Sequence, residues 1–420
     1  MKYLLSLAAR SAWNRKLTLG LTVMSIALSV ALLIGVERVR QDAQDSFAQS
    51  VSGTDLVVGA RTSPVQLMLY AVFHIGDATN NIHWQTYQDI AVNPLVAWTI
   101  PVSMGDSHHG FPVVGTTMDY FEHFHYGESV PLTFSSGKPF ASLFDAVIGA
   151  EVADHLGYHI GDKITLSHGM GDIGLTEHAD KPFTVTGVLA RTGTPVDRTV
   201  HVSLEAIEAI HLDWQGGAKI PGFSIPAQYA SKFNLIPKEV TAILVGLKNR
   251  AGVFKMQRVV NEYHAEPLLA VLPGVALDQL WQVVSVAERA LLAVSGMVVV
   301  VGLCGLIAVI LASLNERRRE LAILRSVGAR PLDIFLLLSA EGLFITVIGM
   351  LFGMALLSAL TATFAPIIQS HYGLMITPRF VSYDELGLLG MVMGVSLLAS
   401  LAPGYGAYRL SLADGLTPRI

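Results

Sequence analysis

Eight of the fourteen histidines, His108, His109, His123, His125, His155, His159, His168 and His178, fall within 71 residues. Neutral imidazole is the commonest side-chain ligand for transition metals. Two spacings could aim a pair of nitrogens at one ion: His123-x-His125 on one face of a strand, and His155-x-x-x-His159 on one face of a helix. Only Glu122 and Asp154 stand beside these pairs, and no cysteine accompanies them, so the reading is of scattered surface histidines and no metal site is assigned. The run Gly169-Met170-Gly171-Asp172-Ile173-Gly174 satisfies G-x-G-x-x-G, but L-T-E-H-A-D-K-P follows it where dinucleotide binding needs a long apolar helix. A hairpin loop is expected there. No G-x-x-x-x-G-K-[S/T] occurs to cradle ATP phosphates, and no G-x-S-x-G elbow to expose a nucleophile. No catalytic residue is expected.

Four apolar runs, 17–36, 290–314, 334–360 and 386–408, are each long enough to cross a bilayer, for which roughly 20 residues suffice. The chain is 52% hydrophobic and 15% charged, with a mean hydropathy of +0.50, which suits a protein part membrane and part water-soluble. Arg10, Arg15 and Lys16 precede the first run, Arg409 and Arg419 follow the last, and five arginines lie between the second and third. Basic short loops stay in the cytoplasm, which puts both termini there and residues 37–285 outside. The net charge of −5 therefore averages two compartments. Because the first run continues into V-E-R-V-R-Q-D, it reads as an uncleaved anchor and not a signal peptide. The only cysteine, Cys304, sits in the second run, so the outer domain must be held by its own core.

The expected fold is an α-helical membrane protein with four transmembrane helices and a large extracytoplasmic mixed α+β domain inserted between helices 1 and 2. Its segments are an interfacial helix (1–16), spans 17–36, 290–314, 334–360 and 386–408, the outer domain with helical stalks (37–285), a cytoplasmic loop (315–333), a short outer loop (361–385) and a tail (409–420). Within the outer domain 55–60, 183–189 and 241–247 read as strands, and 204–210 and 253–263 as helices. Residues 65–73 are apolar but too short to span and read as core. Residues 219–237, with three prolines, mark a lobe boundary or a surface excursion. Thr18, Thr22, Ser25 and Ser29 form a polar stripe on the first span, and Gly349-x-x-x-Gly353 on the third is the small-residue spacing that lets helices approach. Glu341, just inside that span, is an ionisable candidate at a helix interface.

The stretch 315–330 reads N-E-R-R-R-E-L-A-I-L-R-S-V-G-A-R. Glu316, Arg317, Arg318, Arg319, Glu320 and Arg325 form a charged surface, while Leu321, Ile323, Leu324 and Val327 supply an apolar face, so a short helix along the membrane is expected, stopped at Gly328. Followed by Pro331, this segment resembles the coupling segment of FtsX/MacB-type ABC transporter permeases, the group that includes lipoprotein-releasing subunits. N-R-K-L-T (14–18), Glu341-Gly342, Y-R-L-S-L-A-D-G-L (408–416), I-G-A-E-V-A-D-H-L-G-Y-H-I-G-D-K-I-T-L (148–166) and F-T-V-T-G-V (183–188) match the family in order.

The resemblance implies a non-catalytic inner-membrane subunit that transmits motion. A separate cytoplasmic ATPase would bind ATP and magnesium and grip Glu316, Arg317, Arg318, Arg319, Glu320, Arg325 and Gly328. The resemblance also implies a second permease, identical or related, and a periplasmic adaptor or substrate-binding protein; nucleic acid is not among the partners. The implied role is export or release of a lipoprotein, peptide or amphiphile. The alternatives are an FtsX-like scaffold regulating a periplasmic enzyme and a component of a zinc-handling system.

Overall fold

The computed structural model describes residues 16–76, 78–169, 177–215, 218–220, 224–316, 323, 326, 328–372 and 381–409. The chain divides into two compact units, one of Met1–Asp42, Ser285–Ile367 and Ile376–Ile420, the other of Ala43–Val284 with Ile368–Met375.

Four long helices carry the apolar runs: α1 (Lys16–Gln49), α2 (Pro273–Glu316), α3 (Pro331–Tyr372) and α4 (Tyr383–Arg409). Each holds a segment long and apolar enough to cross a membrane, the shortest being the 19 residues Tyr383–Leu401, about 28 Å at 1.5 Å per residue. As expected, α1 runs past the first apolar run through residues 37–49, and α2 begins well before the second. The helix starts follow local chemistry. Pro331, with no N–H to orphan, opens α3, and the Asp333 carboxylate accepts from the Arg330 N–H at 2.8 Å. Ser382 precedes α4; its hydroxyl accepts from Glu385 N (3.2 Å) while the Glu385 carboxylate reaches back to Ser382 N (3.4 Å). This reciprocal capping starts the helix at Tyr383, three residues before the expected boundary. Ile26, Val30 and Ile34 of α1, Leu303, Leu306 and Ile310 of α2, Leu338 and Ile345 of α3 and Val392 of α4 form one buried cluster.

The second unit is an α+β domain whose main sheet has eleven strands: β1 (Leu56–Ala60), β2 (Val96–His108), β3 (Phe111–Thr116), β4 (Phe134–Gly137), β5 (Asp145–Ile148), β6 (Lys163–Ile164), β7 (Ser167–His168), β8 (Phe183–Leu189), β9 (Val200–Ser203), β10 (Ala242–Leu247) and β11 (Leu268–Val271). Their order is β11-β1-β10-β2-β3-β9-β5-β8-β4, with β7 paired to β2 and β6 to β8. β2 bends at a bulge between Met104 and Asp106, where Gly105 has φ +143°, a value that side chains rarely adopt. It turns into β3 through His109 and Gly110, both at positive φ, which is the geometry of a tight two-residue hairpin turn.

The strands expected at 55–60, 183–189 and 241–247 are β1, β8 and β10, and the expected helices are Leu204–Ile210 and Val253–Asn261. Residues 65–73 lie in the core, with Leu67, Met68 and Tyr70 buried on the helix Pro64–Ala71. Within the described part of the stretch 219–237, residues 224–237 expose Tyr229, Phe233 and Ile236 around a single helical turn, Ala227–Ala230, while Ile225 and Ala230 are buried.

Candidate functional site

The small residues of the spans lie where the helices touch. A Cβ built on Gly349 would stand 2.7 Å from Ile26 Cγ2, and one on Gly353 only 2.6 Å from the Ala27 carbonyl oxygen and 3.2 Å from Ala27 Cα. The two glycines therefore let the backbones of α3 and α1 approach, the role their spacing predicts. On the other side of α1, Ser29 Oγ lies 2.8 Å from Ser25 O and 3.2 Å from Val298 O of α2, and Gly302 of α2 faces Ser29 and Ser25. Thr22 instead donates to Thr18 O within its own helix. Between α3 and α4 the buried hydroxyls of Thr346 and Ser396 bond one another, and Gly342 faces Ser400.

A charged lock closes the same bundle. Arg38 of α1 donates from Nε to Glu385 Oε1 (3.0 Å) and from Nη2 to Oε2 (3.1 Å), a two-pronged pair with side chains 9% and 0% exposed. Beside it Glu37 accepts from Arg40 Nε (3.0 Å) and Gln41 Nε2 (2.6 Å), and Gln41 also reaches Asp384 at 3.4 Å. Sequence reasoning missed this pair, whose members are 347 residues apart. Ser382-x-x-Glu385 ahead of an apolar run was the available signal for its acidic half.

Of the expected ATPase-contact residues, Arg317, Arg318, Arg319, Glu320 and Arg325 lie outside the described residues, as do the side chain of Glu316 and residues 1–15 of the expected interfacial helix. Gly328 is described: it is exposed at φ +102°, so the segment ends at a backbone turn that glycine alone adopts without strain. Glu341 is half-buried on α3, next to Gly342.

The histidines sort differently from their spacing. His125 Nδ1 bonds the His123 carbonyl at 2.7 Å, and His123 stacks on Trp98. His155 packs on Phe111, while His159 lies 87% exposed beside Asp162. Neither pair meets at a common point in the described residues, although His123 does lie with Asp119 and Glu122. Tertiary pairing brings a different set together. Nδ1 of His168 on β7 and Nε2 of His211, which caps the helix Leu204–Ile210, stand 3.2 Å and 3.8 Å from the same oxygen, Oδ1 of Asp106 on β2. The hydrogen bond to Asp106 raises the pKa of His168, whereas burial holds His178 down at about 4. His201, wholly buried against Tyr120, is lowered to about 3, and His74, bonded to Thr199 Oγ1 at 2.9 Å, to about 4, both by desolvation. Of the G-x-G-x-x-G run only Gly169 is described, at φ +86°.

Residues 19–258 match the family model described as MacB-like periplasmic core domain, and residues 292–412 the model described as FtsX-like permease C-terminal. The lipoprotein-releasing system transmembrane protein LolC of Neisseria meningitidis serogroup B is 23% identical over 326 residues, covering 69% of each chain. Among solved structures, the periplasmic region of MacB from Actinobacillus actinomycetemcomitans aligns at a TM-score of 0.32 and 9% identity, over 56% of this chain and 94% of that one. The extracellular domain of the noncanonic ABC-type transporter YknZ from Gram-positive bacteria aligns at 0.29 and 12%, over 52% and 99%. A periplasmic-core region followed on one polypeptide by an FtsX-like permease region, together spanning α1 to α4, makes this chain a member of the FtsX/MacB/LolC-type ABC transporter permeases.

Proposed function

We propose that this permease is driven by a separate cytoplasmic ATPase gripping the segment between α2 and α3, and that it moves its α+β domain to release or export a lipoprotein, peptide or amphiphile. The observation that carries the reading is the position of the arginine-rich stretch 317–330, between two apolar helices and inside the FtsX-like region 292–412. Family membership implies an ABC ATPase partner and a membrane setting, and subunits of this family are generally non-catalytic. ATP and magnesium belong to that partner. Arg317, Arg318, Arg319 and Arg325, with Glu316 and Glu320, provide the docking charges, Gly328 ends the segment, and Glu341 is a helix-interface residue on α3. The amino terminus, this segment and the carboxyl terminus share the cytoplasm, following the basic residues at each. α1 continues unbroken beyond its apolar span to Gln49 and α2 begins unbroken at Pro273 ahead of its own, and such continuous helices suit rigid-body transmission. A second permease, identical or related, completes the assembly, and a periplasmic adaptor or substrate-binding protein delivers or receives the cargo.

The test is charge reversal of Arg317, Arg318 and Arg319 to glutamate in the full chain, followed by affinity purification from membranes. The ATPase should be lost from the purified complex while the variant inserts at the normal level. Normal ATPase recruitment refutes the docking assignment. In the wild-type pull-down, a co-purifying cell-wall hydrolase in place of an adaptor would replace transport by regulation of that enzyme.

A further inference from the structure

We propose that the α+β domain binds one divalent transition-metal ion, of which zinc is the type, between the carboxylate of Asp106 and the imidazoles of His168 and His211. The three donors come from β2, from β7 and from the cap of the helix Leu204–Ile210, and their ligand atoms all lie within 4.8 Å of one another. With bonds of about 2.0–2.1 Å, two ligands of a tetrahedral ion stand roughly 3.3 Å apart. The separations of 3.2 Å and 3.8 Å to Asp106 Oδ1 bracket that edge. Two nitrogens and one carboxylate form a donor set suited to zinc with an open fourth position, and they exclude the all-oxygen preference of calcium or magnesium.

The hydrogen bonding points the same way. His211 Nδ1 lies 2.8 Å from the Ile207 carbonyl, which only accepts, so Nδ1 carries the proton and Nε2 presents a lone pair. That Nε2 is buried, has no hydrogen-bond partner, and faces an anionic oxygen of a residue only 4% exposed. Two electron-rich atoms confronting each other away from water are satisfied by a cation between them. A ligating histidine held by a backbone carbonyl through its other nitrogen is the usual outer support of such a site.

A second, independent observation is His178, fully buried with neither ring nitrogen partnered, its ring edge-on to His211 at 5.1 Å and 4.4 Å from Trp214. An orphaned buried imidazole is costly on its own account. It stands behind His211, outside the three residues whose ligand atoms converge, so the fourth position is left to water or a bound ligand. The nearby Lys181 ammonium is already engaged by Asp213 and the Ile210 carbonyl, so it is not the missing cation. His168, 41% exposed, provides the way in from solvent.

The test uses the full-length protein in detergent, stripped with a chelator and titrated with zinc chloride against a chromophoric competitor. The wild type should take one equivalent, and H168A/H211A should bind it weaker by more than the 10- to 100-fold that losing even an outer partner costs. H159A, altered at an exposed histidine, should match the wild type. Cobalt(II) should give the visible bands of a four-coordinate site in the wild type and none in the double variant. Should H168A/H211A fail to fold, D106N tests the same point, because asparagine can keep the hydrogen bond to His168 while losing the charge. Absence of stoichiometric zinc from the wild type, or undiminished binding in the variants, overturns the proposal.

Discussion

Replacing Arg38 by methionine keeps most of its volume and removes its charge. It leaves the Glu385 carboxylate, 0% exposed, without its two-pronged partner. Removing one member of a buried ion pair costs about 3–5 kcal/mol, most of it the charge left behind. Glu385 keeps a 3.4 Å contact with Ser382 N, which argues for the lower end, about 3 kcal/mol. The neighbouring Arg40 cannot substitute, since both its Nε and Nη2 are held by Glu37. At roughly 2–4 °C per kcal/mol for a unit of this size, the unfolding midpoint should fall by about 6–12 °C. Glu385→Met should cost as much, with a further ~1 kcal/mol for the lost reciprocal cap. In Arg38→Met/Glu385→Met no charge is stranded, so the double variant should be more stable than either single one. Thermal unfolding of the purified full-length protein in detergent, followed by circular dichroism, reads all four corners of the cycle. Single variants that melt with the wild type, or a double variant that melts below both, would refute the lock between α1 and α4.

Gly353→Ala forces its new methyl onto the Ala27 backbone, which cannot rotate away, so the helices must separate at a cost of about 1–3 kcal/mol; Gly390→Ala, with nothing within 4 Å on α4, should be neutral or stabilising in the same melting assay. Buried His74 and His201 stay neutral in the folded domain down to about pH 4 and 3, whereas unfolded histidine titrates near 6.5. The stability they permit is complete above pH 6.5 and drains as the pH falls towards those values, by about 2 kcal/mol each at pH 5. Denaturant midpoints measured between pH 7 and 5 should show this slope, to which His178, also held at about 4, adds a similar share, so His201→Leu should flatten it by about a third; a slope unchanged in that variant assigns the acid sensitivity elsewhere.

What could be read in advance was local. Apolar runs of spanning length, the short strand-like segments 183–189 and 241–247 and the Gly349/Gly353 spacing each encode their outcome within a few residues. What was missed depends on strand pairing or helix packing across long separations. The histidine spacings 123/125 and 155/159 could have aimed two nitrogens at one ion but were assigned no site; in the structure His125 is tied to a neighbouring carbonyl and His159 is exposed beside Asp162. His168 owes its place beside Asp106 to the register Ser167↔Ser107 and His168↔Asp106, and His211 comes from the cap of a separate helix, which no spacing within one segment encodes. Arg38 and Glu385 likewise meet only once α1 and α4 pack. The arginines of 317–319 remain an assignment made from composition and likeness.

The first and last strands of the α+β domain are neighbours: β1 pairs antiparallel with β11, Val57 opposite Val271. The chain therefore enters and leaves this domain through one doorway, with the facing Cα atoms only about 5 Å apart. Such a module can be exchanged as a cassette, because grafting it or a relative between two helices asks the host to bridge almost no gap. Lineages could thus refit the same powered membrane base with new heads, and a laboratory chimera joined at residues 56 and 271 could do the same.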